Sequence, residues 1–112
     1  MKNYPASGIS PAFVGYTAQI FKNLRKLLTE NGCTNIQLTR SYYYWSGFFT
    51  DADGQIWYIA SRDWRDAAER TYSYMRTAKS YSDFVGGPNL WVKNIYDIPA
   101  TITNHEKDIQ AK

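Results

Sequence analysis

Ser41–Arg65 reads SYYYWSGFFTDADGQIWYIASRDWR, and nine of its side chains are aromatic. Tyr, Trp, Phe, Ile and Thr suit a half-buried pleated surface, and Asp51-Ala-Asp-Gly54 interrupts them with residues that turn a chain. The segment predicts a β-hairpin. With a turn over Asp51–Gly54, Thr50 would face Gln55, Phe49 would face Ile56 and Phe48 would face Trp57. Side chains alternate along a strand, so this register assigns both faces. One collects Ile36, Leu38, Tyr42, Tyr44, Phe48, Trp57 and Ile59, apolar enough for helices to pack on. The other collects Tyr43, Trp45, Phe49, Ile56, Tyr58 and Arg62. Four half-exposed rings there would leave on the order of 300–500 Å² in one patch, near the upper range for a monomer. A partner protein, a second copy of the chain or a stacked planar ligand would cover it. The competing expectation is that a helix or strand of the same chain folds over this face.

Outward from the hairpin, residues 1–9 lack periodicity and contain Pro5 and Gly8, which predicts an extended arm. Ser10 is placed to cap a helix with Pro11 at its first position, and Ile9 and Val14 to form a hydrophobic staple. Phe13, Thr17, Ile20, Leu24, Leu27 and Leu28 recur at helical steps, with Lys22, Arg25, Lys26 and Thr29 on the opposite side. Asn31-Gly32 supplies the stop. After the hairpin, Ser61 or Asp63 can cap a second helix with a stripe of Trp64, Ala67, Ala68, Thr71, Tyr72, Met75 and Ala78. It should end near Lys79, and by Gly86-Gly87-Pro88 at the latest. Leu90–Ile95 has the character of a third strand, and the chain from Pro99 is polar with sparse anchors at Ile102 and Ile109. The expectation is an α+β fold of order α-β-β-α-β: a small antiparallel sheet, hairpin plus third strand, packed against two helices. The domain would span 10–98, between the arm at 1–9 and a polar tail at 99–112.

A chain of 112 residues suits one domain. Its start has no apolar run, and no window approaches the roughly 18 apolar residues of a membrane span, so neither a leader nor a membrane partner is expected. Cys33 is the only cysteine, which rules out an intramolecular disulfide and points to a reducing, cytoplasmic setting. The net charge of +3 is mild, and ten tyrosines against five phenylalanines predict many rings with a wet hydroxyl. His105 is the only histidine and sits in a sparse polar tail, which predicts neither a His-Asp-Ser constellation nor a zinc set. Gly86-Gly87 lacks the lysine of a phosphate loop, and Asp51 and Asp53 lack the further acidic ligands of a calcium loop. Turn formation accounts for Asp51 and Asp53, and favourable charge at a helix start for Asp63 and Asp66. No catalytic residue, metal or cofactor is expected, and the chain reads as a non-enzyme.

The basic, Leu-rich helix ending in Asn31-Gly32-Cys33, followed by NIQLTRSYYYWSGFF (35–49) and QIWYIASRDW (55–64), resembles small accessory proteins of bacteriophages and mobile elements. Those carry an aromatic strand followed by a second strand with a tryptophan. The resemblance implies a phage accessory protein of a group that includes inhibitors of bacterial defence such as anti-CRISPR proteins. Many of these are acidic mimics of nucleic acid; the basic charge here argues instead for occluding a host defence protein in the bacterial cytoplasm. Tyr43, Trp45, Phe49 and Tyr58 would then be the anchors and Arg62 and Arg65 the rim, the residue types that interfaces favour. Two alternatives use the same surface. In one, rings stack the bases of a single strand or a nucleotide signal while Lys22, Arg40, Arg62 and Arg65 meet phosphates. In the other, the aromatic face pairs with itself in a homodimer.

Overall fold

The computed structural model describes residues 10–110, so the expected arm at 1–9, with its Ile9 staple, lies outside the described residues. Helix α1 runs Pro11–Glu30 and buries Phe13, Thr17, Leu24 and Leu28, four members of the predicted stripe. Ser10 precedes Pro11 in extended conformation but makes no side-chain cap bond. Gly32, at φ 80°, lets the Cys33 amide donate back to the Leu28 carbonyl at 2.9 Å, closing the helix at the predicted place.

Five strands follow: β1 (Thr34–Arg40), β2 (Trp45–Thr50), β3 (Ile56–Ser61), β4 (Ser73–Ala78) and β5 (Leu90–Val92). Each pairs antiparallel with the next, so the sheet order is the chain order. Helix α2 (Ile98–Gln110) closes the described chain. The α+β class, with an antiparallel sheet on two helices, is the one expected, but the sheet is larger than the predicted three strands. No helix among the described residues is long and apolar enough to cross a membrane.

The second helix expected after Ser61 is absent from its place. Asp63 and Asp66 spend their carboxylates on the amides of Arg65 and Ala68, at 2.8 and 3.2 Å, and so close tight local turns. The chain makes one 3-10 turn at Ala67–Glu69 and then enters β4. Along β4, Tyr74, Arg76 and Ala78 face one side of the sheet and Ser73, Met75 and Thr77 the other, a period-two pattern. The predicted polar tail is also corrected: Ile98 is fully buried, Ile102 packs on the core and His105 meets the Trp57 ring edge-on at 5.2 Å, so the segment folds as α2.

The hairpin forms, but its register differs by one residue. Its loop has five residues, Asp51–Gln55, closed by the Asp51 amide donating to the Gln55 carbonyl at 2.8 Å. Thr50 therefore pairs with Ile56, Phe49 with Trp57 and Phe48 with Tyr58. A one-residue shift exchanges the two faces of one strand relative to the other. Trp45 and Phe49 consequently join Trp57, Ile59, Met75 and Val92 beneath the helices, against Leu24, Leu28, Ile95 and Ile98. Gly47 lies on that side too; a Cβ there would come 2.4 Å from the Gln37 carbonyl oxygen, so the close approach of β1 to β2 requires glycine.

Candidate binding face

Both helices contribute to the core on the Trp57 side of the sheet, which leaves the other side without a helix among the described residues. Its floor is a second apolar cluster of Phe48, Tyr58, Ala60 and Ala78, with Ile56, Tyr74 and Tyr81 packed against it. The rings run across the strands. Phe48 lies 5.1 Å from Tyr58, Tyr58 lies 6.4 Å from Tyr74, and Tyr74 lies 5.4 Å from Trp91. Arg76 sets its guanidinium 4.7 Å from the Tyr58 ring centre and 5.5 Å from that of Tyr74, where a cation meets the negative π-faces. Burial pushes the Tyr58 phenol above its ordinary value, and the neighbouring Tyr74 hydroxyl adds to this.

The connection between β4 and β5 covers part of this floor. The Asp83 carboxylate accepts the amides of Lys79, Val85 and Gly86 at 2.9, 3.1 and 3.0 Å, and these donors hold it below the usual carboxylate range. Gly86, at φ 54°, sits where a Cβ would lie 2.5 Å from the Thr77 carbonyl oxygen. The connection is thereby folded back onto β4. Phe84 stands edge-on to Phe48 and Tyr58 at 5.4 and 5.7 Å, and the Tyr81 hydroxyl bonds Thr50 Oγ1 at 2.6 Å. Even so, Phe84 and Trp91 stay more than half exposed and Val85 is 81% exposed.

The anchors expected from sequence are redistributed. Trp45, 2% exposed, and Phe49, fully buried, are core residues under α1, and Trp45 packs against Phe21. They present no surface to a partner, a correction that follows from the longer turn. Tyr58 is on the open side as expected, yet only 6% exposed, because Phe84 and Arg76 cover it. Tyr43 is half-buried under the Arg65 guanidinium, 3.9 Å from its ring centre, and Arg65 is also held by both Asp63 oxygens at 3.0 and 2.7 Å. Arg62 donates to Glu69 at 2.8 Å and lies 5.4 Å from the Trp91 ring centre, so it does border the open face. Lys22 is exposed on α1, on the helix side, and Arg40 ends β1 opposite Trp45. Neither joins Arg62.

Sequence reasoning missed Tyr74, Arg76, Phe84 and Trp91. The signal for the first two was the alternation Tyr72-Ser-Tyr-Met-Arg-Thr, which also satisfied a helical stripe; Phe84 and Trp91 had no periodic partner. Elsewhere, Asp51, Asp53 and Glu106 bring carboxylate oxygens within 4.8 Å of one another. Asp51 is engaged by the turn: its Oδ1 accepts the Asp53 and Gln55 amides and its Oδ2 the Trp57 indole. Glu106 is held above the usual range by its hydrogen bond with Asp53 and by the neighbouring charges. Among known proteins, no family model matches the chain, and neither a curated protein nor a solved structure matches it.

Proposed function

We propose that the chain is a stoichiometric, non-enzymatic binding protein that docks a partner protein on the helix-free side of its sheet. One observation carries this: Phe84 packs edge-on over the buried Phe48 and Tyr58 while staying more than half exposed, and Val85 beside it stands in solvent, on a loop pinned by Asp83. Large apolar contacts held in place before docking lose little conformational freedom when covered, which is how a small surface gains affinity. Tyr44 extends the contact, and arginines stacked on rings supply directional polar ends at the rim. The resemblance to phage accessory proteins gives the partner class: a bacterial defence protein, occluded rather than chemically altered, in the bacterial cytoplasm.

The test is plaque formation by phage on defence-expressing bacteria that also make this chain. Wild type should raise the plaque count, and the Phe84→Ser, Val85→Ser double variant should lose that effect at equal protein level and equal melting temperature. Equal counts with both proteins would remove the docking face from consideration, and no effect of wild type would remove the anti-defence role.

A further inference from the structure

At the β5 end of the open face lies a concave site of different chemistry. A cavity of about 380 Å³ is bounded by Arg62, Glu69, Tyr72, Trp91, Val92 and Lys93. That volume falls within the roughly 300–1,000 Å³ of small-molecule sites. Trp91 lines the cavity and is 58% exposed, with Tyr74 and the Arg62 guanidinium each 5.4 Å from its ring centre. Glu69 is the acid of the lining, and Arg62 already engages it. Lys93 forms no ion pair among the described residues. A free ammonium, a guanidinium whose charge one carboxylate offsets, a phenol and an exposed indole therefore meet in one hollow.

We propose that this cavity binds one nucleotide unit, with its base on the Trp91 indole and its phosphate at Lys93 and Arg62. A planar ring covers an indole face whatever its hydrogen-bond pattern, and a phosphate satisfies ammonium and guanidinium donors together. The Tyr72 hydroxyl is the neutral polar group available to a sugar. The site takes one unit and not a row of stacked bases, because the ring row that continues past Trp91 ends at Tyr58, which is only 6% exposed beneath Phe84 and Arg76. The assignment rests on other anchors than the protein-docking reading: Phe84, Val85 and Tyr44 are not among its lining residues, and only the rim pair Arg62 and Trp91 belongs to both.

Calorimetric titration of the full chain with AMP, adenosine and a short single-stranded oligoadenylate tests it. AMP should bind, and adenosine roughly tenfold or more weaker, because it lacks the charge-assisted bonds. Trp91→Leu should weaken AMP on the order of 5- to 150-fold, the range for one stacked base, with an unchanged melting temperature because the ring is exposed. Lys93→Gln should weaken AMP but not adenosine and should reduce the salt dependence. Oligoadenylate should bind no tighter than AMP per site, and a much tighter oligomer would overturn the one-unit assignment in favour of a single-strand platform. No heat with any phosphate ligand at millimolar concentration, AMP binding unaffected by Trp91→Leu, or binding of an acidic peptide in place of AMP would overturn the assignment.

Discussion

Replacing Asp51 with alanine should destabilise the protein by about 2–5 kcal/mol, and the turn geometry says why. The carboxylate is buried and takes the Asp53 and Gln55 amides at 2.9 and 3.0 Å on one oxygen and the Trp57 indole N–H at 2.9 Å on the other. Trp57 is fully buried, so without Asp51 its N–H has no water to turn to; a buried donor left unmatched costs about 1–3 kcal/mol. The two amides lie nearer the surface, where water replaces part of the loss, and each contributes about 0.5–1 kcal/mol. Asp51→Asn separates the two effects. Its carbonyl can still accept the amides, but its NH₂ group then faces the indole donor, so the loss should be about 1–3 kcal/mol. Urea unfolding followed by far-UV circular dichroism reads both variants, with an unchanged slope as the sign that the fold is kept. A cycle with Trp57→Phe should give a coupling of about 1 kcal/mol or more. Refutation is simple: Asp51→Ala within about 0.5 kcal/mol of wild type, or a coupling near zero, would mean that the carboxylate does not hold the indole.

Three further outcomes follow from the charges and the thiol. Cys33 is buried, and burial, helped by the nearby Asp51 charge, raises its pKa from 9.0 to about 11. Native protein should resist a thiol reagent at pH 8 until it unfolds, and since the folded state holds the proton more tightly, stability should fall as pH rises through that interval; fast labelling of folded protein would contradict this. Asp83 has a depressed pKa, so its support for the loop is present above the ordinary carboxylate value and lost as pH falls through the lower folded value. Amide exchange at Lys79, Val85 and Gly86 should accelerate in Asp83→Ala, and unchanged exchange would show that the carboxylate does not pin the loop. Glu106 has a raised pKa, so its ionisation works against folding as pH rises above 4.5. Glu106→Gln should raise the melting temperature at pH 7 and lose that advantage near pH 4; a lower melting temperature at pH 7 would reverse the sign.

Several elements were legible because their cause is local. The stripe Phe13, Thr17, Leu24 and Leu28 repeats at helical spacing, Pro11 and Gly32 mark the ends of α1, and the rings around Asp51–Gly54 announce a hairpin. Residues 61–79 were ambiguous for a physical reason: Trp64, Ala67, Ala68, Thr71, Tyr72, Met75 and Ala78 suit a helix, while Tyr74, Arg76 and Ala78 alternate with Ser73, Met75 and Thr77 as a strand requires. Pairing with β3 on one edge and β5 on the other decided between them, and such pairing is not written in the segment. Of the residues expected on the candidate face, Tyr58 and Arg62 lie on the helix-free side, whereas Trp45 and Phe49 lie beneath the helices.

The amino-acid sequence by itself determined the α+β class, the first helix, the hairpin and a surplus of rings that two helices on one side of a sheet do not cover. Only the tertiary structure decided which rings those are. The choice turned on one residue of loop length, in a turn whose Asp51 bonds both its own loop and the indole of Trp57. Periodicity is a property of neighbours along the chain and survives in any context. Register is a property of two strands at once, and because side chains alternate, a step of one residue carries Trp45 and Phe49 into the core and leaves Phe48 and Tyr58 beneath the open face.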